Sequence, residues 1–134
     1  MDRATIEGRV YVQHNGQQRG ISGVCVSNGK EVVQTNANGH YALPRPKAEG
    51  VIFITKPAGY ELPLNTFNQP QFFRFIRPEG SPGSHLLEYE GFAPSPVPDQ
   101  IDFKLLPGQR QEQFRAVFFR DIQPKTIEEV SFFR

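Results

Sequence analysis

Through its first 105 positions the chain sets apolar against polar residues with a period near two, in short runs separated by turn-forming residues, the pattern of half-buried β-strands. Residues 4–13 place Ile6, Val10 and Val12 against Arg9 and Tyr11, and His14-Asn15-Gly16 closes the run with an Asn-Gly turn. Gly20 to Ser27 puts Val24 and Val26 on one face. It continues through Asn28-Gly29, which reads as a type I′ hairpin turn, into a third strand over Glu31 to Thr35. Asn36-Ala37-Asn38-Gly39 supplies residues that tolerate positive φ, and His40 to Leu43 alternates until Pro44 and Pro46 stop it. Val51 to Thr55 is a continuous run rich in β-branched residues and is expected to be the most buried strand. Gln71 to Arg77 is expected to put Phe73 and Phe75 on one face with Arg74 opposing them, and Ile101 to Leu105 alternates before Pro107-Gly108. Together these elements predict an all-β fold, an antiparallel Ig-like or prealbumin-like β-sandwich of about seven strands.

Two stretches break the pattern. Residues 78–98 hold five Pro and three Gly, too many for a strand or helix, and read as a long irregular loop; His85, Glu88, Tyr89, Glu90 and Phe92 give it groups suited to contacting a ligand or a neighbouring domain. A linker packed over its own sandwich is the plainer alternative. Beyond residue 110, Phe114 to Phe119 is apolar on both faces apart from Arg115, as strands covered by helices are. After Asp121-Ile122-Gln123-Pro124, Thr126 and Glu129 form a capping-box pattern, and Ile127, Val130 and Phe133 recur at helical spacing. The expected division is a β-sandwich over 1–110, followed by a linker and the first strand, turn and helix of an incomplete βα unit over 111–134.

Composition narrows the function classes. The net charge is +1, so there is no basic field for a nucleic-acid partner. Cys25 is the only cysteine, which excludes an internal disulfide and any site built on two cysteines. No run approaches a membrane span and Met1 to Thr5 contains no apolar signal segment, so the chain reads as soluble without an export signal. Six of the 12 Phe lie beyond residue 100, concentrating apolar surface in the incomplete unit.

Among residues able to carry chemistry, Asp121 stands just past the carboxyl end of the expected strand 114–119, where α/β sheets place ligands, and Gln123 follows it out of the same turn. A carboxylate there suits a divalent metal; an Asp that caps a turn fits the same residues. His14, His40 and His85 have no second ligand at metal spacing and read as surface histidines. Asn36 to Gly39 has amides where a calcium loop needs carboxylates and reads as a structural turn. Cys25 reads as a small strand residue, and Ser22, Ser27 and Ser84 lack the context of a nucleophile.

The pattern Gly8-Arg9-Val10, Gly20-Ile21, Gly23-Val24, Val33, Thr35 to Gly39, Tyr41 and Leu43 resembles carboxypeptidase-regulatory or transthyretin-like sandwiches. More specifically, Ile52 to Tyr60, Phe72 to Pro82 and Asp102 to Leu105 resemble the N-terminal domain of bacterial calcineurin-like phosphoesterases over roughly residues 6–106. In that family the sandwich precedes a metallophosphoesterase domain, whose first strand and metal-binding turn resemble Val117 to Pro124. The resemblance implies Asp121 as a metal ligand, with Gln123 where many relatives carry His, and two divalent metal ions in a complete phosphoesterase domain. It also implies a C-terminal phosphoesterase domain as partner and a periplasmic or secreted location. The later Gly-Asp, Gly-Asn-His and Gly-His-x-His motifs are absent, so no catalytic residue is expected in this chain alone. The function this implies is a non-catalytic accessory module of a phosphoesterase. The alternative is a stand-alone sandwich that binds a glycan, a peptide or a cell surface.

Overall fold

The computed structural model describes residues 4–86, 88, 90–118, 120 and 125–128. These residues form an all-β sandwich of two sheets containing nine strands: β1 (Thr5–His14), β2 (Gln17–Gly20), β3 (Cys25–Ser27), β4 (Val32–Gln34), β5 (His40–Pro44), β6 (Gly50–Ile54), β7 (Tyr60–Glu61), β8 (Phe73–Ile76) and β9 (Phe103–Pro107). One sheet runs β2-β1-β9-β7, with β5 also paired to β1, and the other runs β4-β3-β6-β8. The strand count exceeds the expected seven because β2 and β7 are short pieces that the sequence pattern does not resolve.

β1 is the organising strand. Ile6, Gly8, Val10 and Val12 are buried in alternation along it. β2 and β5 share one of its edges end to end and meet at Val10, whose N–H donates to the Gly39 carbonyl and whose carbonyl accepts from the Ile21 N–H. The other edge takes β9, and this pair is parallel, with Val10 opposite Phe103 and Val12 opposite Leu105. The expected antiparallel pairing holds in the other strand pairs and gives way in this one. β9 arrives through the long 78–102 excursion rather than a hairpin, so its direction is free of the constraint that a tight turn imposes.

The core between the sheets is Ile6, Val10, Val12, Val26, Leu43, Ile52, Ile54, Ile76, Phe103 and Leu105, with Ile21, Val24, Tyr41 and Ile101 completing it. Two buried polar side chains fasten the crossings. Thr35 Oγ1 donates to the Ile21 carbonyl at 2.6 Å and accepts from the Val24 N–H at 2.9 Å, holding the passage from β2 to β3 against the end of β4. Tyr41 Oη donates to the Ile101 carbonyl at 2.6 Å, tying β5 to the start of β9 across β1.

Several local expectations change. The run Gly20 to Ser27 is not one strand: β2 ends at Gly20 and β3 begins at Cys25, because the chain changes sheets between them through Gly23 at φ 75°. Asn28-Gly29 is not a two-residue type I′ turn. The loop spans 28–31, and Asn28 Oδ1 accepts from the Lys30 and Glu31 N–H groups. β6 is not uniformly buried, since Val51 and Phe53 are only partly covered while Ile52 and Ile54 are inside. On β8 Phe73 and Phe75 share one face with Arg74 opposing them, as expected, and the register decides which face is inner: Ile52 pairs with Arg74 and Gly50 with Ile76, so Arg74 and the buried Ile76 turn inward and Phe75 is 59% exposed. Residues 114–118 form no strand among the described residues, and Phe114, Val117 and Phe118 are exposed. An apolar run needs a sheet edge to pair with, and among the described residues none meets it. The expected helix from Thr126 is not among the described elements, and residues 129–134 lie outside the described residues.

Close approach of β1 and β9 depends on Gly8, where a Cβ would strike the Ile101 carbonyl and crowd the Tyr41 hydroxyl. Gly8→Ala is therefore expected to lower stability by about 1–3 kcal/mol, the range for forced overpacking; urea unfolding measures this directly. Tyr41 supplies a pH test. Burial raises its phenol well above the usual value, the Asp102 carboxylate raises it further, and Arg74 opposes both. The folded state thus keeps a proton that the unfolded chain releases from about pH 10 upward, so stability is full below that pH and falls as pH rises toward the folded value. Tyr41→Phe should remove this alkaline loss while costing about 1–3 kcal/mol near neutrality, because the Ile101 carbonyl loses its donor; unfolding midpoints from pH 8 to 11 check both parts.

Candidate functional site

Asp121 and Gln123, the residues assigned to a metal by resemblance, lie outside the described residues. Among the described residues no group of three or more His, Cys, Asp or Glu could hold a metal ion. His14 closes β1, His40 opens β5 and His85 lies in the 78–98 loop, all exposed and in separate parts of the fold. In the Asn36 to Gly39 turn, Asn36 Oδ1 accepts from the N–H groups of Asn38 and His40, so its side chain is spent on shaping the turn. Cys25 Sγ accepts from Gln34 Nε2 at 3.8 Å on the adjoining strand.

Chemistry gathers instead at β8 and the segment that returns from the 78–98 loop to β9. Inward-facing Arg74 lays its guanidinium 5.3 Å from the Phe103 ring centroid and donates from Nη1 to its own neighbour, the Phe73 carbonyl, at 2.8 Å. One residue past β8, Arg77 is clasped between Phe75 and Phe92, with its guanidinium carbon 4.5 and 4.1 Å from the two ring centroids. Its Nε is buried and lies 3.7 Å from Glu49 Oε1. Phe92 reaches this position because the 78–93 loop folds back on itself: Ser81 and Phe92 exchange backbone hydrogen bonds of 2.9 and 3.2 Å. Gly80 and Gly91, both at positive φ, sit where a Cβ would strike the opposing backbone. The long loop is thus pinned by one cation between two rings.

Between β8 and residues 95–102 lies a cleft of about 340 Å³, with Arg74, Phe75 and Arg77 on one wall and Ser95, Gln100 and Asp102 on the other. Asp102 Oδ1 accepts from the Arg9 backbone N–H, and Gln100 Nε2 donates to both carboxylate oxygens. The guanidinium and aromatic groups of this cleft are of the kind that can orient a ligand, while the carboxylate is held by donors of the protein itself.

The outer face of the four-stranded sheet is the second feature. Pairing of Val51 with Phe75 and of Phe53 with Phe73 puts these four side chains together on that face. Val32, 65% exposed, lies across the neighbouring strands on the same side. The rings of Phe72, Phe73 and Phe75 succeed one another edge to face at 5.0 and 5.2 Å. A sheet that is apolar on both faces expects cover on both.

The family model for the N terminal of calcineurin-like phosphoesterase matches residues 4–91. The chain belongs to that family. Comparison with curated proteins found no match. The matched span runs from the start of β1 into the loop that carries Phe92, so this calcineurin-like phosphoesterase N-terminal domain comprises β1 to β8 by family and closes its sandwich with β9 beyond the match. Among the described residues it has no helix long and apolar enough to cross a membrane.

Of the site described, the sequence reading selected only Phe92 and the loop bearing it. Arg74, Arg77, Gln100 and Asp102 were missed. Alternation sets Arg74 opposite Phe73 and Phe75 without saying which face is inner, and the partner strand, whose Ile52 and Ile54 are buried, decides that. Arg77→Ala is expected to cost about 1–2 kcal/mol, as a partly desolvated cation between two rings does. The Ser81 and Phe92 amides should lose hydrogen-exchange protection before the β1 ladder does. Arg77→Lys should recover part of both effects, and equal protection in all three proteins would refute the clasp.

Proposed function

We propose that this domain is a non-catalytic accessory module that packs against a C-terminal phosphoesterase domain of the same polypeptide and orients or shields its active site. The observation that carries the reading is the outer face of the β4-β3-β6-β8 sheet, where Val32, Val51, Phe53, Phe73 and Phe75 present apolar surface with no layer over it among the described residues. Family membership supplies the neighbour. In this reading Asp121 is one ligand of a two-metal centre and Gln123 a weaker neighbour. Two divalent metal ions need more ligands than one Asp and one Gln, and the described residues do not assemble them. The remainder would come from the phosphoesterase domain, and with them the metal-activated water that hydrolyses a phosphoester. A stand-alone binding module is the second reading, and the cleft beside β8 is the observation that favours it.

The test compares the 134-residue chain with the polypeptide that carries both domains. The double substitution Val32→Glu and Val51→Glu should leave the unfolding midpoint of the short chain within experimental error, because both side chains face outward. It should lower that of the two-domain protein by about 4 °C or more, the equivalent of roughly 1–2 kcal/mol of lost packing. The short chain should not hydrolyse p-nitrophenyl phosphate with manganese, while the two-domain protein does. Equal shifts in both proteins, or none in either, would remove the accessory reading.

A further inference from the structure

β8 is the terminal strand of its sheet. The hydrogen bond from the Ile54 N–H to the Phe72 carbonyl sets the phase of the antiparallel ladder, so Phe72, Arg74 and Ile76 turn their backbone groups toward β6, while Phe73, Phe75 and Arg77 turn theirs to the open edge. Two of those outward groups are already occupied. The Arg77 carbonyl accepts from the Ser95 N–H at 3.0 Å, and the Phe73 carbonyl accepts from Arg74 Nη1. The Phe73 N–H and both backbone groups of Phe75 have no partner among the described residues.

Among the described residues this edge is not closed. Ser95 makes one rung, and the returning segment then turns away to β1, where the Val97 carbonyl accepts from Arg45 Nη2 and the Asp99 carbonyl from the Glu7 N–H, so the cleft opens where the pairing stops. The other strand ends of the fold are less inviting: β2 is Gln-Gln-Arg-Gly and β4 is three residues long. β8 combines unpaired backbone groups, flanking rings and an adjoining cavity of the size that small binding sites have. It also offers a charge. Among the described residues no carboxylate lies within 4.0 Å of the Arg74 guanidinium, since Glu49 is engaged by Arg77 and Asp102 by Arg9 and Gln100.

We propose that the open edge of β8 is a strand-docking site for an extended peptide segment that carries an Asp or Glu. The segment adds beside Phe73 and Phe75 through backbone hydrogen bonds and places its carboxylate on Arg74. Main-chain pairing supplies affinity and the guanidinium supplies selectivity, the division of labour of strand addition in general. Phe73 and Phe75 also belong to the outer face, but docking rests on their backbone groups and on Arg74 in the cleft and is read on the 134-residue chain, so it stands or falls separately from packing on a phosphoesterase domain.

The experiment titrates the isotopically labelled 134-residue chain with an acetylated, amidated Thr-Val-Thr-Glu-Thr-Val-Thr peptide and with the same peptide carrying Lys for Glu. Shifts should centre on the Phe73, Phe75 and Ser95 amides, and the Glu peptide should bind about tenfold more tightly, the value of one charge-assisted hydrogen bond. Arg74→Gln should level the two peptides. Phe75→Pro removes an N–H that faces away from β6, so the β6-β8 ladder can persist, and should abolish binding of both. If Phe75→Pro fails to fold, the levelling by Arg74→Gln decides alone. Equal binding of the two peptides by the unaltered chain, no shifts at millimolar peptide, or shifts located elsewhere would overturn the proposal. So would concentration-dependent dimerisation through β8, which gives the edge to a second copy, or a protected Phe75 amide in the free chain, which gives it to a segment of the chain itself.

Discussion

β1 has both of its edges in use, and the rest of the sandwich follows from that. Val10 is where β2 and β5 meet on one edge, and the parallel pairing to β9 occupies the other. An interior strand so enclosed must bury its inward row completely and admit neighbouring backbones closely, which is why Gly8 stands opposite the Ile101 carbonyl and Gly39 stands against Val10. The five-stranded sheet is thereby held along its middle, and Tyr41, reaching across β1 to the same carbonyl, stiffens the join.

The four-stranded sheet lacks such a centre. Its strands are three to five residues long, it ends on β8, and its outer face carries Val32, Val51, Phe53, Phe73 and Phe75 beside Ser27 and Gln34. The protein's interactive potential therefore lies on this sheet: an apolar face on one side, an open edge at the end. The Arg77 clasp belongs to the same economy. Two rings and one guanidinium help hold the excursion from Pro78 to Ala93, whose described residues form no named strand or helix.

Strand existence was legible because alternation is local. Each of Ile6, Val10 and Val12, of Tyr41 and Leu43, and of Ile101, Phe103 and Leu105 announces its own face within two or three residues, and the structure buries all of them. The turn at Asn36 was equally plain, since the amide that makes it is adjacent to the groups it caps. In Phe72 to Ile76 local pattern separates Phe73 and Phe75 from Arg74 but does not say which face is inner. Both faces are apolar, and only the register with β6 selects the inner one. The candidate site was therefore largely hidden: its arginines are defined by what stands opposite them, and Phe103 and Phe92 are distant in sequence from Arg74 and Arg77.

The amino-acid sequence by itself determined an all-β chain, the positions of its principal strands and turns, and membership of the calcineurin-like phosphoesterase N-terminal family, because side-chain periodicity, turn chemistry and family motifs are written in adjacent residues. The tertiary structure alone decided the parallel closure by β9, the inward turn of Arg74, the clasp of Arg77 and the open edge beside them. Each of these depends on which backbone lies across the sheet or the cleft, and the free energy of a hydrogen bond or a stacked cation is set by that partner rather than by the residue's neighbours in the chain.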